Sequence, residues 1–161
     1  MTRLADAGSD ARTLWRSLGE AGVLRSLPRE SAHSLWVDPA ALSELLGELD
    51  ARCAPGAVLS VCVQVATVIP LLQNCAPVSP LAGLVLERML RGETMVALAA
   101  TDAGLSGSAL LDLRTEVLDT ADGVSVHGGK EWISNAGHCD EVLVLARCRP
   151  ARHFTSYSWV L

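Results

Sequence analysis

Residues 128–146 read GGKEWISNAGHCDEVLVLA, and the fold turns on how this stretch is taken. Two glycines, the chain's only lysine and a tryptophan come first, a small hydroxyl follows at Ser134, and an apolar run closes the stretch. The glycines signal a tight turn near His127, Gly128 and Gly129, so GVSVHGGKEWIS reads as a hairpin. In the strand after that turn, side chains two apart share a face, which places Lys130, Trp132 and Ser134 together.

Outward from this hairpin the second part of the chain reads as β. TMVALAA is an apolar run short enough for a strand, DLRTEVLD alternates with Leu113, Thr115 and Val117 on one side, and DEVLVLARC and FTSYSWVL are further strands. Before residue 94 the period is helical. DARTLWRSLGEAGV spaces Leu14, Trp15, Leu18 and Val23 for one helix face, with Gly22 as its stop. Asp38 and Ser79 each precede a proline at the first helical position, where the missing N–H costs nothing. Leu42, Leu45, Leu46 and Leu49 form the apolar face after Asp38, Gly92 ends the helix after Ser79, and LPRESAHSLWVD reads as a loop. The expectation is an α+β chain: a helical bundle over 1–93, then an incomplete, mostly antiparallel, barrel-like β domain over 94–161.

Composition narrows the classes. Half of the residues are hydrophobic and 19% charged, which suits a packed globular chain. The net charge of −5 is spread without a basic stripe, so nucleic acid is not an expected partner. The apolar stretch at residues 57–72 carries Gln64 and Pro70 and falls short of the ~20 apolar residues of a spanning helix, so it reads as a buried central helix and no membrane is expected. The odd cysteine count, with no C-x-x-C pair and no secretory start, points to reduced thiols in a cytoplasm. The histidines are scattered, so no metal site is expected.

The segments LWRSLGEAGVLRSLP, LLGELDARCAPGAVLSVCVQVATVIPLL, MLRGETMVALAATDAGLSGS and GGKEWISNAGHCDEVLVLAR stand in the order and spacing of acyl-CoA dehydrogenases. Over about residues 14–161 the chain resembles that flavoenzyme family, whose C-terminal four-helix domain has no counterpart here. The most specific match is K-x-W-I-[ST]-N-A at Lys130, Trp132, Ile133, Ser134, Asn135 and Ala136. The family's strand end A-L-T-E-P-x-x-G-S-D matches poorly: Ala97, Leu98 and Gly104 fit, whereas Ala99, Ala100, Thr101, Leu105 and Ser106 replace Thr, Glu, Pro, Ser and Asp.

The resemblance implies FAD as cofactor, with Leu98, Ala99, Gly104, Trp132, Ile133 and Ser134 beside the flavin. It implies an acyl thioester on CoA or an acyl carrier protein, with Leu105 and Ser106 on the substrate side. A flat indole suits a flavin ring, and Ser134 offers donors along its edge, whereas Ala99 has no hydroxyl to give. The plainer reading makes Trp132 a half-buried strand aromatic and TDAGLSGS a flexible connection. The glutamate base and most of the FAD grip belong to the absent domain, so no residue here is assigned to catalysis. A homo-oligomer or a complementing chain carrying that domain is the expected partner, and the chain alone is expected to be inactive. The alternative is a catalytically dead binding or assembly module, or a relic of a truncated gene, on the same fold.

Overall fold

The computed structural model describes residues 10–30, 35–150 and 152–161. The chain divides into two compact units, one running to Val96 and including Gly137–Asp140, the other comprising Ala97–Ala136 and Glu141–Leu161. The division falls three residues after the expected 93/94 boundary, and the first unit also includes a short later segment.

In the first unit, helix α1 (Ala11–Glu20) opens on Asp10, whose carboxylate accepts the Thr13 N–H, and buries Leu14, Trp15 and Leu18 on one face. The αL backbone of Gly22 separates it from the short α2 (Val23–Ser26). The segment read as a loop contains a two-stranded antiparallel ribbon, β1 (Pro28–Glu30) and β2 (Leu35–Val37). Helix α3 (Pro39–Asp50) starts as expected, with Asp38 accepting the Ala40 N–H at 2.9 Å. Of its four leucines, Leu45 and Leu49 are buried and Leu42 and Leu46 are half-buried.

The central helix is longer than its apolar run. α4 (Pro55–Val63) and α5 (Ile69–Cys75) are joined by one π-helical stretch, Gln64–Val68, without a break. By length and composition alone, Pro55–Cys75 meets the requirement for crossing a membrane. Its Val61, Val65, Val68, Ile69 and Leu72 are buried within the protein. Gln64 is fully buried as well, and its side-chain amide replaces a strand partner: Oε1 accepts the Val96 N–H at 3.1 Å and Nε2 donates to the Val96 carbonyl. α6 (Pro80–Leu90) begins at Ser79 and ends before Gly92, whose φ of 75° few other residues adopt. A Cβ on Gly92 would lie 2.9 Å from the carbonyls of Trp15 and Arg16, and one on Gly19 would strike the Arg91–Gly92 backbone. The two glycines let α1 and the end of α6 touch at the main chain.

The second unit contains a five-stranded open sheet of β3 (Val96–Ala99, whose first residue Val96 belongs to the first unit), β4 (Glu116–Thr120), β5 (Gly123–His127), β6 (Glu141–Arg147) and β7 (Tyr157–Val160). β4–β5 and β6–β7 are antiparallel, and β4 meets β6 in parallel at Glu116 and Arg147. The α+β class therefore holds, with a mixed sheet that does not close into a barrel.

The hairpin is placed differently from the sequence reading. Its turn lies between Thr120 and Gly123, so GVSVH is the second strand and Gly128–Gly129 is the exit from it. Gly128, at φ 148°, leaves β5 directly over Thr115, whose Oγ1 would be 2.5 Å from any Cβ there.

Candidate functional site

The exit from β3 and the exit from β5 lie side by side, held by two main-chain bonds and one to a side chain. Ala103 N–H donates to Gly129 O at 2.9 Å, Glu131 N–H to Thr101 O at 3.0 Å, and Gly104 N–H to the Glu131 carboxylate at 3.2 Å. The two stretches that carry the family resemblance, 97–106 and 130–136, are thus brought together within one unit.

Beneath them lies a buried ion pair. Lys130 Nζ approaches Asp102 Oδ1 to 2.5 Å and donates to Ala100 O at 3.0 Å, and both side chains are nearly free of solvent. Asp102 also accepts the Thr115 N–H at 2.8 Å, the Thr115 hydroxyl at 2.7 Å, and the Arg114 N–H. Burial pushes the Asp102 carboxyl up, but the bonds from Lys130, Thr115 and Arg114 outweigh it and hold the group below the ordinary aspartate value. A buried charge with this many donors is satisfied, and it fixes where Lys130 points.

That geometry corrects the shared-face reading. Trp132 adopts φ 57° and Asn135 φ 70°, so residues 130–136 bend away from an extended strand. Lys130 points inward to Asp102, while Trp132 is 87% exposed. The alternation of period two fails because the local backbone is left-handed at Trp132, and the plainer reading of a half-buried strand aromatic fails with it. Ile133 and Ser134 are half-buried at the start of a turn. Neither their N–H groups nor the Ser134 hydroxyl has a partner among the described residues.

The β3 residues divide by face. Ala99 is 1% exposed and belongs to the core, whereas Leu98 is half-buried. Neighbours on a strand point to opposite sides, so of these two only Leu98 has a partly open side chain. Gly104, at φ 75°, and Ser106 are exposed on the following turn, and Leu105 is half-buried there with its N–H on Asp102 O at 3.0 Å. Ser106 Oγ lies 3.0 Å from Ser108 Oγ. Among the described residues no group of His, Cys, Asp and Glu is arranged to hold a metal ion.

The sequence reading gave Asp102 no structural role and took Gly128 as part of a hairpin turn. The one available signal was that a chain with a single lysine places it inside its most specific motif. Its partner lies on another loop, so only the folded chain pairs them.

The loop presents an exposed indole beside unpartnered donors, and Ala99 adds no side-chain donor to them.

No family model and no curated protein matches the chain. Solved structures do match it. Glutaryl-CoA dehydrogenase from Mycobacterium smegmatis aligns with a TM-score of 0.68 at 24% identity, over 87% of this chain and 35% of that one. The chain has part of the acyl-CoA dehydrogenase fold. A structure described as the FAD complex of PigA gives a TM-score of 0.71 at 22% identity, over 92% of this chain and 38% of that one. The ChsE4-ChsE5 complex from Mycobacterium tuberculosis gives 0.64 at 17% identity, over 93% and 38%. The chain thus spans less than two-fifths of the length of these acyl-CoA dehydrogenase-fold structures.

Proposed function

We propose that the chain supplies the tryptophan-bearing face of an FAD site in a protein that oxidises acyl thioesters between their α and β carbons. The observation that carries this reading is Trp132, an indole 87% exposed on a bend held from beneath by a buried ion pair. A large apolar surface left in water is unfavourable, and a planar ring lying on it removes that surface from solvent.

FAD, when bound, supplies the hydride-accepting chemistry. Trp132 supplies the flat wall for the ring. Ser134, with the free N–H groups of Ile133 and Ser134, donates along its edge, and Leu98 with Gly104 borders it. Leu105 and Ser106 lie on the turn toward an acyl-CoA or acyl-carrier-protein substrate. We also propose a cytoplasmic setting, to which cysteines without a disulfide are suited.

Proton removal is assigned to no residue of this chain. Asp102 is held by Lys130, Asp112 by Arg152, Glu116 by Arg147, and Glu131 accepts the Gly104 N–H. The base and the remaining FAD contacts come, in this reading, from a further helical segment or a second polypeptide. Proteins of similar fold support each element separately: PigA forms an FAD complex, and ChsE4 with ChsE5 forms a complex of two proteins.

One observation favours the second reading, a non-catalytic binding or assembly module. Ala99 places a buried methyl where the resemblance expects a hydroxyl on the ring. Titration with FAD, followed by the visible spectrum and flavin fluorescence, separates the two. The flavin reading expects saturable binding that Trp132→Ala weakens about tenfold or more. No binding by the native chain, or equal binding by the variant, would sink it in favour of the module.

A further inference from the structure

A cleft of about 350 Å³ opens in the second unit between the Leu110–Asp112 turn and the connection from β6 to β7. Arg114, Arg147 and Arg152 line it, with Asp112, Leu111 and Tyr157. This concentration of guanidinium groups stands out in a chain whose net charge is −5. None of these residues belongs to the Trp132 loop or to the other residues assigned to the flavin.

The arginines are only partly engaged. Arg147 reaches Glu116 through Nη2 at 3.1 Å, and Arg152 holds Asp112 while its Nε lies 3.4 Å from Leu111 O. The Arg114 guanidinium has no partner among the described residues. A guanidinium carries five donors, so the three arginines present more N–H groups than Asp112, the one carboxylate lining the cleft, and Glu116 beside Arg147 accept. Its wall is braced: Tyr157 donates its hydroxyl to Leu111 O at 2.6 Å, tying the turn to the start of β7.

We propose that this cleft binds a phosphate group, either as the free ion or as part of a larger phosphorylated ligand. Phosphate oxygens point in several directions and each accepts from a planar guanidinium fork, which suits arginines arriving from different walls. A carboxylate has only two oxygens, both in one plane, and so offers fewer acceptor directions to arginines on different walls. The volume lies at the small end of ligand sites, enough for one phosphorylated end of a molecule.

The test is titration of the full chain with inorganic phosphate at fixed ionic strength, followed by backbone amide NMR. Saturable shifts are expected at Leu111–Arg114 and at Arg147–Cys148. Arg114→Gln should weaken the binding about tenfold, and Arg147→Gln should weaken it too, whereas Arg52→Gln in the first unit should not. A parallel titration with ADP separates the sources: tighter binding assigns the site to a nucleotide phosphate, equal binding to phosphate itself. Undiminished binding in both cleft variants overturns the proposal. So does an equal response to acetate, or shifts spread over arginines across the surface.

Discussion

Lys130 and Asp102 are not equivalent halves of their ion pair. Asp102 accepts from Lys130, Thr115 and Arg114, so removing its charge leaves an ammonium buried without a counter-ion. Asp102→Asn should cost about 3 kcal/mol in urea unfolding, and Lys130→Met less, because the carboxylate keeps its bonds to Thr115 and Arg114. The acid limb follows from the lowered Asp102 value. The folded chain favours the charged form, so this stabilisation is complete above the unfolded aspartate pKa of about 3.9 and is lost as pH falls through the lower folded value. Native protein should therefore lose stability more steeply below about pH 4 than Asp102→Asn does. Ala99 gives the opposite lesson. On an open face, Ala99→Thr would restore a flavin hydrogen bond, but its methyl lies in the core. The substitution should destabilise the fold by about 1–3 kcal/mol and leave FAD titration no tighter.

At the scale of elements, the π-helical stretch between α4 and α5 places Gln64 against the start of β3. Its amide satisfies both main-chain groups of Val96, which are buried and have lost water. Gln64→Met keeps the volume and removes both bonds, at a cost of about 2–4 kcal/mol. Hydrogen exchange should show the Val96 amide losing protection while the amides of α1 keep theirs; unchanged protection at Val96 would refute this role for Gln64. A second clamp in the same unit works through charge. Arg12 meets Asp140 with two bonds of 2.6 Å, and Asp140 also accepts the Met95 N–H. Arg12 first, against the opposing effect of burial and with help from Met95, holds the Asp140 carboxyl below its ordinary value.

At the scale of the whole molecule, the proposed reaction needs a proton acceptor, and the carboxylates beside the Trp132 loop are already engaged, Asp102 by Lys130 and Glu131 by the Gly104 N–H. The chain by itself is expected to show no acyl-thioester-dependent reduction of an electron-accepting dye, measured beside an active acyl-CoA dehydrogenase. Sustained turnover by highly purified chain would contradict this and would require one of Asp102, Asp112, Glu116 or Glu131 to act as base. Addition of a second polypeptide bearing a helical domain with a glutamate is expected to be needed for turnover.

Much of the architecture was legible in the chain. Helix starts at Asp38–Pro39 and Ser79–Pro80, the stop at Gly92 and the change of period near residue 94 are local signals, because caps and turns are set by a few neighbouring residues. The strands of the second unit followed from alternation, but the hairpin turn was put at Gly128–Gly129, where Gly128 instead serves a close approach to Thr115. The sequence also brought Trp132 forward as the residue of interest. It had no means of orienting that side chain. The left-handed backbone at Trp132, the inward turn of Lys130 and the burial of Ala99 all depend on partners distant in sequence. Local chemistry determined which segments form helices and strands; tertiary structure alone decided which way the motif's side chains face, because a buried charge must meet its counter-charge wherever the chain brings the two together.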